Sequence, residues 1–414
     1  MVFKIDVPPR LILGDVDEGF GPVADQFRRN FAERGEVGAA CAVYQGGRKV
    51  VDLWGGYRDG RSRAPWQEDT LVTVFSSTKG VSGLAIALAN SRGLIDYDAR
   101  VATYWPEFAA NGKANVTVRQ LLSHQAGVPA IARPLSVTDL ADLDVVASAL
   151  AEQAPAWTPG TRHGYHAISL GWYEGELIRR VDPARRTLGR FFAEEIAAPL
   201  GIEFYIGVPD SVDQDRIAFI HGFKPAEMML HLNAMPWQFV ANFLNPRSIT
   251  ARSFANPKVL SQTANYNLPE VRRLELPAAN GTGQPRAIAK AYGDAATGGS
   301  TIGLGQSTLD ALTSAASAPS EGRLDTVLRV DTTFSLGYIK PFPTFRFGGS
   351  GGRAFGTPGA GGSFGFADPE TGIGFAYAMN RTGFYLWDDP RELALRDALY
   401  RTVLGDAPQR PDPR

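Results

Sequence analysis

Strand-like runs crowd the two ends of this chain and leave its middle to helical patterns, and nothing else in the sequence constrains the fold as much. Near the start, an amphipathic segment from about Gly19 to Arg34 reads as a helix. The runs Ala39–Gln45 and Lys49–Trp54 follow it, separated by Gly46-Gly47, which is a hairpin signal. Near the other end, Phe334–Ile339, Ser363–Ala367 and Ile373–Asn380 read as three more strands. The last two are joined by Asp368-Pro369-Glu370-Thr371-Gly372, which has turn chemistry. A final helix is predicted to start at Asp389, with Pro390 in its first turn and Glu392 three residues after the cap. The expected fold class is α+β: one antiparallel sheet built from both chain ends and flanked by helices. There is no alternating strand–helix series of the kind a parallel doubly wound sheet needs.

Between the strands lie helical patterns broken by Pro- and Gly-rich loops, among them Ala141–Gln153, Leu170–Arg180 and Arg286–Thr297. The chain has 414 residues, more than the roughly 250–300 at which single cores stop growing. The expected organisation is a discontinuous sheet domain, residues 1–78 and 300–414, with a mostly helical domain, 79–299, inserted into it. Within the latter, about 223–282 mixes Pro, Asn and aromatics without periodicity. That stretch either packs over a pocket or is irregular surface, and its Trp237, Phe239 and Phe243 either line a site or fill a core.

Net charge is −1, and the basic residues are scattered. A nucleic-acid surface needs concentrated phosphate neutralisation, so none is expected. The one cysteine, Cys41, lies in the apolar run Ala39–Val43 and reads as a small buried hydrophobe on a strand. It cannot form an internal disulfide or a cysteine metal cluster. No secretion signal and no membrane span are read from the sequence, so the expected location is cytoplasmic.

The first candidate chemistry is Ser76-Ser77-Thr78-Lys79, which opens a nearly all-apolar helical run through Leu88. A serine and a lysine three apart share one helix face. The amine is then in reach as a base, and the helix N-terminus favours developing negative charge. The plain alternative is an N-capping serine beside a solvated lysine. Against it, the chain carries 8 lysines and 34 arginines, so arginine is its default surface cation. A lysine on a buried helix suggests a need for an amine that can lose its proton.

A second cluster is Pro159-Gly160-Thr161-Arg162-His163-Gly164-Tyr165-His166-Ala167, just before a helix. Tyr165 could pass a proton between nucleophile and substrate, or simply pack its ring. His163 and His166, three apart with no evident third ligand, do not make a metal site, and neither metal nor cofactor is expected. A third is Phe355-Gly356-Thr357-Pro358-Gly359-Ala360-Gly361-Gly362-Ser363. So many glycines before a strand require close backbone approach, either to a bend in the sheet or to a ligand held by an oxyanion-binding N–H. The chain also matches the Gly-x-Ser-x-Gly nucleophile elbow twice, around Ser350 and Ser363. In that fold a histidine follows the serine. The five histidines, at 124, 163, 166, 221 and 231, all precede both serines, so both matches read as coincidence.

Taken in order, the three clusters resemble the serine β-lactamase and penicillin-recognising superfamily, and in particular its family VIII carboxylesterases, which are similar to class C β-lactamases. Ser76-x-x-Lys79 matches the first motif, and Tyr165, 89 positions on, the second. Thr357-Pro358-Gly359 stands where the third, Lys-Thr-Gly-like motif belongs. Leu121-Leu122-Ser123-His124-Gln125-Ala126-Gly127 looks like the family's segment between the first two, where the histidine is structural. The resemblance implies a β-lactamase/transpeptidase-like fold, Ser76 as acylated nucleophile, Lys79 holding its proton, and Tyr165 assisting and later activating water. It implies an oxyanion hole of the Ser76 and Ala360 N–H groups, with Thr357, Gly359 and His166 at the substrate pocket. Two departures point away from lactams. His166-Ala167 follows Tyr165 where lactamases favour x-Asn, and Thr357 replaces the lysine that attracts the antibiotic carboxylate. The expectation is a serine esterase acting on small, short-acyl, uncharged esters, with no cofactor. A β-lactamase, amide hydrolase or acyltransferase using the same site, and a non-catalytic ligand-binding relative, are the alternatives.

Overall fold

A computed structural model of the chain describes residues 5–222 and 234–406. Its centre is a seven-stranded antiparallel sheet. The main strands are β1 (Ile12–Val16), β2 (Gly38–Gln45), β3 (Arg48–Asp59), β4 (Phe355–Pro358), β5 (Phe364–Asp368) and β6 (Ile373–Met379). They lie in the order β1-β3-β2-β6-β5-β4, and the short strand Ala64–Pro65 pairs with β3. The two chain ends meet where β2 pairs with β6, Ala42 opposite Ala376.

The period of two along β2 explains how both faces are covered. Ala39, Cys41 and Val43 face one core, beside Leu53, Phe366, Phe375 and Tyr377. Helix α1 (Gly21–Glu33) packs there, as do Leu395 and Leu399 of the C-terminal helical segment. Cys41 is buried and unpaired by any disulfide. Ala40, Ala42, Ala376 and Ala378 face the other core. Alanines on that side let the helix Pro285–Ala296 approach closely. A side chain at Gly374 would stand 2.3 Å from the Ala289 carbonyl oxygen, so only glycine fits beneath it.

The same second core holds α2 (Ser77–Ser91), which is buried on every side from Ser77 to Ala89. Against it pack α3 (Leu143–Glu152), through a shared cluster, and α4 (Ser169–Val181). A helix apolar all round is what a position between a sheet and other helices demands.

The expected Phe334–Ile339 strand is absent as a strand: Phe334 and Ile339 form an isolated bridge across a tight turn. Gly337 at φ +85 makes that turn. Its neighbours Ser335 and Lys340 are buried with it. Two of the main strands escaped the sequence reading, β1 and β4, as did the two-residue strands Ala64–Pro65, Val72–Thr73, Phe204–Tyr205 and Thr282–Gly283. The first is short and mostly exposed; the second is hidden among glycines. The final helix runs Pro390–Asp397 with the Asp389 side chain capping the Arg391 N–H. Of the irregular stretch 223–282, residues 223–233 lie outside the described residues; the rest is short helices and turns, including Trp237–Leu244 and Ile249–Phe254.

Candidate active site

Ser76 sits at the N-cap of α2, yet its side chain makes no capping hydrogen bond. Its hydroxyl is turned instead to Lys79, with Oγ and Nζ 3.2 Å apart. The turn that delivers it is strained. Phe75 has φ +49, a conformation costly for a bulky residue and common where function requires it. Two bonds to the Phe75 carbonyl hold it there, from the Thr78 N–H at 2.9 Å and the Thr78 hydroxyl at 2.5 Å. The Phe75 ring packs edge-on against Tyr266.

Lys79 is fully buried. Its Nζ donates to the carbonyl oxygens of Ala167 (2.5 Å) and Ala278 (2.9 Å). Burial lowers the amine from 10.5 to about 7, and the nearby Glu174 opposes part of that shift. Charged, the amine donates to Ser76 Oγ as well as to the two carbonyls; once it loses a proton and keeps both carbonyls, the lone pair is what it has left to offer Ser76 Oγ. Burial alone does not mark such a lysine. Lys113 and Lys340 are buried as well, each with Nζ bound to backbone carbonyls. The scarcity of lysine in this chain therefore reflects structural uses too; only Lys79 has the Ser76 hydroxyl beside it.

Tyr165 closes the third side. Its ring centroid is 4.8 Å from Lys79 Nζ. Burial pushes its phenol far above the usual value, and a hydrogen bond with the Ser76 side chain offsets part of that. The phenol is therefore neutral near pH 7 and can relay a proton, but is not a standing base.

The loop carrying Tyr165 is fixed by a residue the sequence reading missed. Asp325, fully buried, accepts the Tyr165 N–H at 3.0 and 3.1 Å, and the Val327 and Leu328 N–H groups at 2.8 and 2.7 Å. It lies 160 residues from Tyr165, in no motif that spacing could flag. The histidines brace the same loop. The His166 N–H donates to His124 Nδ1 at 3.1 Å, and His166 Nδ1 bonds the Gly164 carbonyl at 2.7 Å. His163 Nε2 lies 2.7 Å from the Arg323 carbonyl. Burial lowers His124 well below its ordinary value and His166 to about 3, so both rings are neutral.

Across from Ser76, β4 ends at Pro358 and the chain turns through Gly359-Ala360. A side chain at Gly359 would stand 2.5 Å from the Val74 carbonyl oxygen and 3.0 Å from the Ser77 nitrogen. Only glycine lets this edge approach the turn that carries Ser76. Ser363, one of the two false nucleophile matches, ties the two together: its hydroxyl donates to the Val74 carbonyl at 2.8 Å and accepts from Ser77 at 3.1 Å.

Ser76 and Ala360 both line a cavity of about 170 Å³, bounded by Phe75, Ile168, Phe239, Phe243, Tyr266 and Phe384 among others. None of its lining residues among the described ones is charged. Of the pocket residues expected from the sequence, none lines it. Thr357 is buried with its hydroxyl next to the backbone of Gly80, Gly359 packs under the nucleophile turn, and His166 faces His124. Phe239 and Phe243 do line it, while Trp237 is 72 % exposed and does not. Ser350 is exposed and its backbone N–H donates to Asp406.

The beta-lactamase family model matches residues 24–398. The chain is 35% identical over 374 residues to the Esterase/beta-lactamase LipL of Mycobacterium tuberculosis, covering 90% of this chain and 83% of that protein. A crystal structure of a family VIII carboxylesterase superposes with TM-score 0.81 at 37% identity, over 95% of this chain and 100% of the other. A penicillin-binding protein homologue from Caulobacter crescentus gives TM-score 0.81 at 36% identity, with the same coverage.

Proposed function

The chain belongs to the beta-lactamase family, and from that membership we propose that it is a serine carboxylesterase hydrolysing small, uncharged esters through an acyl-enzyme on Ser76. Its esterase relatives support a serine hydrolase. The observation that carries the finer reading is the 3.2 Å contact of Ser76 Oγ with a buried amine, at the wall of a cavity without charged lining residues.

In acylation Ser76 Oγ bonds to the ester carbonyl carbon while its proton passes to Lys79 Nζ, directly or through the Tyr165 hydroxyl. The carbonyl electron pair moves to oxygen, where the Ser76 and Ala360 N–H groups receive it. The tetrahedral centre then collapses, the C–O bond to the alcohol breaks, and the alkoxide takes the proton. Water repeats the sequence on the acyl-enzyme, losing its proton to the same relay and releasing the acid. An alcohol in place of water would give acyl transfer.

The acyl group would sit in the apolar cavity. A cavity of roughly 150 Å³ holds one benzene ring, so about 170 Å³ suits a short acyl chain or a single small ring. With no charged residue among the described lining, an antibiotic carboxylate is disfavoured, which ranks ester above lactam. A cytoplasmic location is part of the same proposal; separately, no helix among the described residues is long and apolar enough to cross a membrane.

Two measurements test it. A fluorescent organophosphonate should label wild type and fail to label Ser76→Ala; equal labelling of both removes Ser76 as the nucleophile. p-Nitrophenyl butyrate should be turned over faster than nitrocefin, and the reverse order would overturn the substrate ranking.

A further inference from the structure

Behind Lys79, on the side away from Ser76, the packing buries a carboxyl group that the chemistry above does not use. Glu174, on α4, is fully buried, and its Oε1 has no hydrogen-bond partner among the described residues. Its Oε2 is 3.3 Å from the hydroxyl of Ser82, the residue three on from Lys79 along α2. The same hydroxyl lies 3.1 Å from the Lys79 carbonyl oxygen and 2.8 Å from that of Pro277. The neighbour of Pro277, Ala278, supplies the carbonyl that receives Lys79 Nζ. Ser82 thus joins the carboxyl to the backbone of Lys79 itself and to the segment whose Ala278 carbonyl receives the amine.

A carboxylate with an unpaired oxygen in a dry site is expensive unless it is protonated or faces a positive charge. The groups facing these two residues leave one pairing. Lys79 meets the Tyr165 ring, and His124 and His166 feel its charge, both held neutral by burial. Glu174 is faced by Tyr97 and Tyr338, whose hydroxyls are unpartnered and whose pKa values burial raises. Asp325 lies beyond Tyr165, on its backbone side. Glu174 is the one carboxyl whose charge acts on Lys79 appreciably.

We propose that Glu174 is a positioning residue of the catalytic base, supplying the counter-charge for the Lys79 ammonium that forms when Ser76 gives up its proton. The inference rests on the Ser76–Lys79 reading above. When the Oγ–H bond breaks and Nζ gains the proton, a full positive charge appears where water is excluded. Two carbonyls solvate it without neutralising it, and the Glu174 carboxylate balances it. The competent resting form has a neutral Lys79 and an ionised Glu174. Burial brings the amine down to about 7 and the carboxyl up to about 8, so the two titrate as a pair and the acid limb of activity belongs to both.

The test is kcat/KM against pH for p-nitrophenyl butyrate in wild type, E174Q and E174M, with thermal melts to verify folding. Methionine leaves no polar group to satisfy in a dry site, so E174M covers a failure of E174Q to fold. Without the carboxylate the amine loses its proton more easily. The acid limb should move about one unit toward lower pH, and the plateau should fall about tenfold as the base weakens. E174D should bring the limb back toward wild type. A merely structural role would lower the rate at every pH alike, so an unmoved limb in folded variants overturns the inference. If wild type labels at Ser76 but the limb is unmoved, Glu174 alone is misassigned; if wild type does not label at all, the reading of Ser76 falls with it.

Discussion

The hydroxyls of Ser77 and Ser363, 286 residues apart in sequence, are hydrogen-bonded at 3.1 Å, and this bond fastens the start of the nucleophile helix to the strand edge that presents Ala360. Two backbone N–H groups bind an oxyanion well only when their separation is fixed before the charge appears. In the proposed reaction those groups are the Ser76 and Ala360 N–H, one from each side of that bond.

Ser363→Ala should therefore act on both stability and rate. It removes the donor to the Val74 carbonyl and the acceptor for Ser77. The Val74 carbonyl keeps the Ser77 N–H at 3.1 Å, so the group left unpaired is the Ser77 hydroxyl, at a cost of about 1–3 kcal/mol, to be read from the denaturant midpoint. Turnover of p-nitrophenyl butyrate should fall about tenfold, through kcat more than KM, because the oxyanion donors drift apart. An unchanged kcat would mean that the two edges keep their spacing without Ser363.

This serine also shows what the sequence could convey. The sheet made from both chain ends was legible because β2, β3, β5 and β6 carry long apolar or alternating runs. The pair Ser76 and Lys79 was legible because a three-residue offset on a helix fixes a shared face. Ser363 was visible only as a false motif, since its partners Val74 and Ser77 are set by the fold. Asp325 was invisible for the same reason: its partners, the N–H groups of Tyr165, Val327 and Leu328 and the Thr332 hydroxyl at 3.4 Å, are brought to it by the fold and leave no spacing to read. Thr357 and His166 were placed at the pocket from the order of motifs. In the fold their side chains turn into the protein, against Gly80 and His124, and the cavity wall comes instead from the aromatics of Trp237–Leu244 and Ile249–Phe254.

The lowered Lys79 predicts a pH dependence of stability that a methionine would lack. The amine titrates near 10.5 when unfolded and about 7 when folded. Between those values the unfolded chain holds the extra proton, so stability rises with pH across that window. Relative to Lys79→Met, wild type should gain stability as the pH is raised from about 7 toward 10.5. Urea midpoints of the two proteins at several pH values measure it. Comparison of the two cancels Lys113 and Lys340, which burial lowers in the same sense. The methionine variant should also lose at least about a hundredfold in kcat/KM.

The size of the acyl site should follow Phe239. Its ring is buried, stacks on Phe243 at 5.7 Å and lines the cavity that Ser76 opens into. Phe239→Ala should deepen that cavity. The ratio of kcat/KM for p-nitrophenyl octanoate over butyrate should rise about tenfold or more, since each well-placed methylene contributes about 1–3 kcal/mol of discrimination. Stability should drop by about 3–5 kcal/mol if the cavity does not collapse. An unchanged ratio would remove Phe239 from the acyl site.

Asp325 gives the sharpest separation of position from chemistry, because it touches neither the nucleophile nor the cavity. It is buried, so its carboxyl is raised above the usual range by desolvation, while nearby His163 and its backbone donors oppose part of that shift. Asp325→Asn preserves the shape of the group and replaces one acceptor oxygen by a donor. The two oxygens now serve the N–H groups of Tyr165, Val327 and Leu328. An amide can satisfy some of these, and its NH2 would face at least one other donor. The Tyr165 loop should shift, and with it the phenol that bonds Ser76. Substrate still enters an unaltered cavity, so KM should hold within about twofold while kcat falls about tenfold to a hundredfold, the range expected for a small misplacement of a reacting group. Organophosphonate labelling of Ser76 should persist but slow. A kcat equal to wild type in folded Asp325→Asn would show that the loop finds its place without the carboxylate. A loss in KM alone would show that Asp325 shapes the cavity and not the relay.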